Sequence, residues 1–480
     1  MKFYTNFFMR GNYVIVRGYE NGKRFTDRIE YKPTLYVPAR KPSDWRSVDE
    51  NQLEPVDLGG IREAREFVKT YNEVQGFKIY GSTLYDYVCV HENFTQDYDT
   101  EFVKILNIDI EVGSEDGFPD PQLANQPVTA ITVSIDGAFY TFGCQDYQVK
   151  SDDVTYIQCT NERELLINFL RHWKTWDADI ITGWNVQGFD MPYLRNRMLK
   201  LLGESATKRL SPVGIISERE YVAFNRKHIE YEFVGMTILD YLDLYKKFTY
   251  SQQESYRLDH IAHVELGEKK LDYSEVETLH QLYKLDYEKF IDYNIKDVEL
   301  INKIEDKMKL IDMALAIAYD AKVNYKDVFT QVRMWDVLIH NWLYDRKIAI
   351  PPKEKKEKNA QYAGAYVKDP HVGMHKWVMS FDLNSLYPHL IMQYNISPDT
   401  FIDGEYVGVT VNELLDGVKP AVDDNMCMAA NGHVFKRDKQ GFLPEMMEKM
   451  YNDRVKAKKS MLEAQNKLEE VNRRLNEISQ

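Results

Sequence analysis

Residues 106–112 read Leu106-Asn107-Ile108-Asp109-Ile110-Glu111-Val112. Apolar and polar side chains alternate, the period of a β-strand with one face in a core. Leu106, Ile108, Ile110 and Val112 share that face, and Asp109 and Glu111 stand together on the other. Carboxylates at such neighbouring positions lie about 7 Å apart and repel one another unless a cation sits between them. Alone, the stretch also suits a half-exposed strand with an acidic outer face. Working outward, strands follow near 129–135 and 138–142 at meander spacing, then a helix near 161–173 and a buried strand over Ala178 to Gly183. Thr182 to Asp190 (TGWNVQGFD) leads from that strand into a helix, where Pro192 suits the first turn and Asp190 fits an N-cap. A long helical stretch over 287–320 places Tyr293 and Asp297, four residues apart, on one face.

The rest of the chain sets the context. Residues 1 to about 103 are β-rich, with strands at Tyr13 to Val16 and Thr34 to Val37 and an amphipathic helix over Ile61 to Tyr71. Tyr221 to Phe233 suits a strand pair around an Asn225-Arg226-Lys227 turn. Pro351-Pro352 and the charged run Lys353 to Lys358 read as a linker. A strand-rich domain then opens, with Trp377 to Phe381 as a buried strand running into Asp382. A helix runs from about Pro444 to Gln480.

Composition narrows the function classes. With 480 residues, 44% of them hydrophobic and 13% aromatic, a mostly disordered chain is excluded and two to four domains are expected. A net charge of −14 excludes a histone-like basic binder, while local charge still admits nucleic acid. Cys89, Cys144, Cys159 and Cys427 form no CxxC pair, which argues against zinc and a disulfide framework. No apolar run approaches the roughly 18 residues of a membrane span, so no membrane association and a cytoplasmic location are expected, in the host cell if the source is viral.

Singly, each polar motif also fits ordinary structure. Their order is more specific. D-x-E on a first strand, N-x-x-x-F-D after a later strand and Y-x-x-x-D on a later helix resemble the three-part signature of the DEDDy 3′–5′ proofreading exonucleases, whose fold is like that of ribonuclease H. Phosphodiester hydrolysis by two metals about 4 Å apart needs hard oxygen ligands, which these residue types supply. The resemblance implies that Asp109 bridges the metals, Glu111 and Asp297 hold the nucleophile-side ion, Asp190 serves the second, and Tyr293 orients the attacking water. It implies DNA contacts from Asn185 and Phe189, the latter as a stacking surface for a single-stranded 3′ end. The Asn225-Arg226-Lys227 hairpin resembles the strand-separating hairpin of this class.

Further on, Asp382-Leu383-Asn384-Ser385-Leu386-Tyr387-Pro388 resembles the palm motif A of family B DNA polymerases. This implies a metal ligand at Asp382 and a second donor in the Leu383 carbonyl. Ser385 and Leu386 would hold the incoming triphosphate through backbone N–H groups, and Tyr387 would lie under the sugar. His389 stands where the family usually has Ser. Tyr362 and Gly364 resemble the family's Y-x-G-G/A motif, implying DNA contact. Arg454 and Lys458 share a helix face and match the fingers residues that grip the triphosphate. LDYLDLYKK (Leu239 to Lys247), VMSFDLNSLYP and ISPDTF place the resemblance nearest to the family B polymerases of T-even-type tailed bacteriophages, with a shorter segment between the first two exonuclease motifs.

The expected fold class is therefore multidomain α/β. Its parts are a β-rich N-terminal domain (1–103 with 310–354), a ribonuclease H-like exonuclease domain (104–309), the first part of a palm (355–440) and one fingers helix (441–480). The expected cofactors are Mg²⁺ or Mn²⁺ in two-metal sites, and the expected partners are primer-template DNA, single-stranded 3′ ends and dNTP. Neither the K-x-x-x-N-S-x-Y-G motif nor the palm D-T-D occurs, so these residues alone are expected not to extend a primer. Met447, Met450, Ala457, Met461, Ala464, Leu468, Val471, Leu475 and Ile478 form an apolar stripe that one helix cannot bury. The expectation is the N-terminal subunit of a split polymerase, with a second chain supplying the rest. The alternatives are a stand-alone 3′–5′ exonuclease or a truncated single-chain polymerase.

Overall fold

The structure, a computed structural model, describes all residues except 73, 116, 118, 224–225, 272–275, 277–278, 353–366 and 480, and the backbone alone for 221–223, 226–228 and 479. The expected linker from Lys353 onward, Tyr362, Gly364 and Asn225 lie outside the described residues. The chain forms two compact units, Met1–Tyr36 with Pro55–Tyr344 and Val37–Glu54 with Asp345–Gln480. It is mixed α/β with a β-rich N-terminal region.

In the first unit a six-stranded sheet runs Val154–Gln158, Ala138–Gly143, Val128–Ile135, Ile105–Val112, Ile180–Thr182, Thr237–Ile238 across its width. Val128–Ile135 is antiparallel to both its neighbours, and the strands toward either edge join in parallel. The alternation of 106–112 is realised as read. Leu106, Ile108 and Ile110 are buried in one core with Leu165, Leu166 and Phe169 of the helix Glu162–Trp176. The opposite face is covered by the helix Tyr287–Met308, whose Phe290 and Ile291 pack on Ala130. Val128–Ile135, central and covered on both sides, is buried at every position.

Three antiparallel N-terminal strands, Lys2–Arg10, Tyr13–Glu20 and Lys23–Glu30, form a second sheet. It is tied to the end of the six-stranded sheet by Asp179. That fully buried carboxylate accepts from Thr5 Oγ1 (2.7 Å), Tyr19 OH (3.0 Å), Arg24 Nη1 (2.6 Å) and Lys104 N (3.0 Å). A buried charge so completely partnered fixes where Ile180–Thr182 begins.

Two sequence expectations need correcting here. The helical stretch over 287–320 is two helices, Tyr287–Met308 and Leu310–Asp320, broken at Lys309, whose φ is 54°. The Glu305 carboxylate accepts from Leu310 N (2.9 Å) and Ile311 N (3.2 Å), so the second helix starts on a cap supplied by the first. The hairpin begins earlier than read, at Ile216. Arg226 and Lys227 belong to its second strand, Arg226–Phe233, paired with Ala223 and Val222, and not to a turn.

In the second unit, Trp45–Ser47 pairs with Ile348–Ala349 and, through Trp45 and Arg46, with Leu53 and Gln52. Phe401–Tyr406, His433–Lys436 and Met426–Met428 form a small antiparallel sheet. The helix Phe442–Ser479 is continuous, as the sequence implies. Trp377 to Phe381 differs from expectation: it is irregular, and Trp377 and Phe381 are 97% and 85% exposed. Trp377 has a φ of 59°, outside the extended region, and no described strand pairs with the run, so it has no ladder to join.

Candidate active site

The helix Tyr287–Met308 is docked on the carboxylate face of Ile105–Val112 by Asn107, whose amide donates to Val298 O and Asn302 Oδ1, each at 2.9 Å. That docking delivers Asp297 to Asp109 and Glu111. One oxygen from each of Asp109, Glu111 and Asp297 lies within 4.8 Å of the other two. Burial, then Asp297, Asp190 and Glu111, hold the Asp109 carboxyl well above the usual range. Burial and Asp297 push Glu111 up to about 8. Asp297 is raised as well, chiefly by burial. Its Oδ1 is buried and has no hydrogen-bond partner among the described residues. Three convergent hard-oxygen donors, raised chiefly by burial and, for Asp109 and Glu111, next by the charge of Asp297, with one oxygen left unpartnered, fit a divalent cation.

Asp190 lies beside this group. It is buried, opens the helix Asp190–Leu202, and its Oδ1 accepts from Ile110 N at 3.0 Å. The N-cap position belongs to Phe189, so the Asp190 carboxylate serves the carboxylate-bearing strand instead of capping its own helix. Its oxygens are not among the three within 4.8 Å, although its charge raises Asp109. Burial is the main cause that pushes Asp190 itself to about 7.

Tyr293 sits one turn before Asp297 on the same helix, as its spacing requires. Burial, then Asp297, raise its hydroxyl above the ordinary tyrosine value, so it stays an O–H. Two further residues complete the site, and sequence reasoning missed both. Lys270 donates to Asp297 and, at 3.1 Å, to Tyr293 OH, with its ammonium 5.0 Å from the Tyr293 ring centre. Burial alone would lower that ammonium, but Asp297, Tyr293 and Asp109 outweigh it and raise it. Asn294 donates to Asp109 Oδ2 at 2.6 Å while its Oδ1 accepts from Thr132 Oγ1 at 2.5 Å. Lys270 leaves no local signal in the sequence. Asn294 does, as a polar residue on the buried face of an amphipathic helix.

The loop Gly183–Phe189 carries the other candidates. Asn185 is exposed and left-handed, φ 63°, and Phe189 is half-buried with its ring stacked on Tyr193 at 5.6 Å. Gly183 is required here, because a Cβ would lie 2.5 Å from the backbone Ile108 O, whereas one at Gly188 would meet the Asn185 side-chain Oδ1 at 2.5 Å.

In the second unit, Ser385 (φ 56°) caps the helix Leu386–Gln393, and its Oγ accepts from Arg454 Nη1 at 2.8 Å. His389 lies against Tyr451 with ring centres 4.7 Å apart, giving the departure from Ser a packing role. Two triphosphate candidates far apart in sequence are thereby brought together. Asp382, Leu383, Leu386, Tyr387 and Lys458 are exposed.

All four cysteines are free thiols, and among the described residues no helix is long and apolar enough to cross a membrane. Compared with known proteins, residues 68–261 match the family model described as DNA polymerase family B, exonuclease domain, and residues 326–480 match that of DNA polymerase family B. The chain is 31% identical to the DNA-directed DNA polymerase of Enterobacteria phage T4, over 96% of this chain and 54% of that protein. It is 33% identical to that of Escherichia phage RB69, over 93% of this chain and 52% of that one. A more distant similarity, 25% over 74% of this chain and 39% of the other, is to a DNA polymerase of Archaeoglobus fulgidus. The chain thus spans about half the length of the phage relatives.

Proposed function

Because this chain belongs to DNA polymerase family B, we propose that it works on the 3′ ends of DNA. Residues 104–309 act as a ribonuclease H-like 3′–5′ proofreading exonuclease, flanked by an N-terminal domain (1–103 with 310–354). Residues 355–440 and 441–480 contribute the first part of a palm and one fingers helix. The observation that carries the reading is the convergence of Asp109, Glu111 and Asp297, from a strand and a helix, to within 4.8 Å.

On this reading Asp109, Glu111, Asp190 and Asp297 hold two divalent cations, Mg²⁺ or Mn²⁺. When bound, such a pair supplies a nucleophile at neutral pH and stabilises the leaving oxygen. The protein's own groups prepare the site. Asn294 fixes the orientation of Asp109. Lys270 offsets part of the negative charge and holds the Tyr293 hydroxyl, which orients the attacking water. Asn185 and Phe189 hold the frayed 3′ strand, with the hairpin 216–233 as the strand separator.

For polymerisation, Asp382 and the Leu383 carbonyl serve as metal ligands. Ser385, Leu386, Tyr387, Arg454 and Lys458 receive the dNTP, and Tyr362 and Gly364 touch primer-template DNA. The Arg454–Ser385 hydrogen bond supports this over a nuclease-only reading, since it joins two residues a nuclease does not need. These 480 residues hold no D-T-D, so synthesis requires that carboxylate from elsewhere, in this polypeptide or a second polymerase chain. The place of action is the host cytoplasm if the source is a bacteriophage.

Incubation with primer–template and Mg²⁺ tests both halves. Without dNTP, stepwise release of mononucleotides from the 3′ end is expected. With dNTP, no extension is expected, and processive synthesis by these residues alone would overturn the second half.

A further inference from the structure

Asp240 lies outside the carboxylate cluster. It follows the short strand Thr237–Ile238, and its side chain is almost wholly buried. Among the described residues its hydrogen-bond partners are three backbone amides. Oδ1 accepts from Asn185 N and Leu242 N, each at 3.0 Å, and Oδ2 accepts from Gln187 N at 2.9 Å. The Leu242 bond caps the helix Tyr241–Phe248, for which a single side-chain oxygen suffices. The other two bonds fasten the loop that carries Asn185 and Phe189.

That loop has reason to need fastening. Asn185 occupies a left-handed conformation that L-residues adopt reluctantly. Its far end leads directly into Asp190, tied to the strand through Ile110 N. The Trp184 indole adds one bond, to Tyr256 O at 3.0 Å. Within the loop, Gly188 N and Phe189 N both donate to Asn185 O. Asp240 thus grips the loop at the residue on which its own turn is built.

We infer that Asp240 is a positioning residue for the single-stranded 3′ end: its two carboxylate oxygens hold Asn185 and Gln187 so that the loop presents Asn185 and Phe189 beside Asp190. This rests on the exonuclease reading above. The residue type follows from the task. A carboxylate accepts at both oxygens, whereas an asparagine there offers one acceptor and turns an N–H₂ toward a backbone N–H. A serine retains a helix cap but has only one oxygen to share among three amides.

The test uses the full 480-residue chain, with Asp240→Asn and Asp240→Ser. Binding of a fluorescein-labelled oligothymidylate is read by anisotropy in EDTA, and trimming of the same strand is read with Mg²⁺. The expected result is a rise of about tenfold in Kd and KM with kcat changed less than about twofold, the pattern of lost binding and not of lost chemistry. Adding Asn185→Ala to Asp240→Ser should bring little further loss, because both act through one contact. A fall in kcat at unchanged KM, or additive losses, would overturn the proposal. Should neither variant fold, hydrogen exchange in the unaltered protein decides: Asn185 and Gln187 amides are expected to be protected, and exchange at free-loop rates would overturn it. If the unaltered chain trims nothing, the exonuclease reading fails, while the binding and exchange arms still report on Asp240.

Discussion

Lys270 donates to both the carboxylate of Asp297 and the hydroxyl of Tyr293, the latter at 3.1 Å, and so places a cation among carboxylates gathered from a strand and a helix. One loop lysine thereby touches two residues that lie four apart on another element. It holds the Tyr293 hydroxyl and offsets charge that would otherwise push the helix Tyr287–Met308 away from the strand.

Removing that cation should be felt most without metal. Lys270→Met is expected to cost about 2 kcal/mol of stability in EDTA, a buried-pair loss discounted for the partial exposure of the lysine. Saturating Mn²⁺ should recover much of it, since a divalent ion can take over the charge balance. Urea unfolding with and without Mn²⁺ measures both.

The carboxylates also set a pH dependence. Glu111 is raised to about 8 and Asp190 to about 7, principally by burial. Groups raised in the folded state contribute stability at low pH that is lost as pH rises through the folded value. In EDTA the protein should therefore lose stability progressively between the unfolded values of about pH 4 and the folded values of about 8, and Glu111→Gln should flatten the slope. Divalent-metal affinity should rise over the same interval, because the ligands must be deprotonated. Melting curves across that range, with EDTA or Mn²⁺, check the sign.

Asn294 orients Asp109 without belonging to the carboxylate cluster. Asn294→Leu should weaken divalent-metal binding by about 10- to 100-fold while leaving the fold intact. A Mn²⁺ titration of nuclease rate should show the half-saturating concentration rising and the plateau largely restored.

The break between the two helices at Lys309 is testable separately from chemistry. Glu305→Ala removes the acceptor for Leu310 N, Ile311 N and Tyr241 OH and should cost about 2 kcal/mol. Lys309→Gly should be neutral or stabilising by up to about 1 kcal/mol, because φ is 54° there. Opposite signs from adjacent changes would be hard to obtain if the helix were continuous.

How far the sequence carried depends on the range over which each feature is determined. The two-residue alternation of 106–112 is local, so the split into an apolar and a carboxylate face could be read directly and is what the structure has. The four-residue spacing of Tyr293 and Asp297 is local in the same way. Lys270 lies in a loop with no periodicity, and only the packing of that loop on the helix brings it to Asp297. Asp240 gives no such signal beyond its helix cap, because its two loop partners are backbone amides 55 and 53 residues away, which no side-chain pattern announces. Trp377 to Phe381 misled for the converse reason: an apolar run predicts burial only where something is present to bury it.

The most direct measurement is loss of label from a 3′-labelled single strand with Mg²⁺, run beside Asp109→Ala. The account predicts rapid stepwise loss by the unaltered chain and none above the EDTA background for the variant. Equal loss from both would place the chemistry somewhere other than Asp109, Glu111 and Asp297, and would contradict the account.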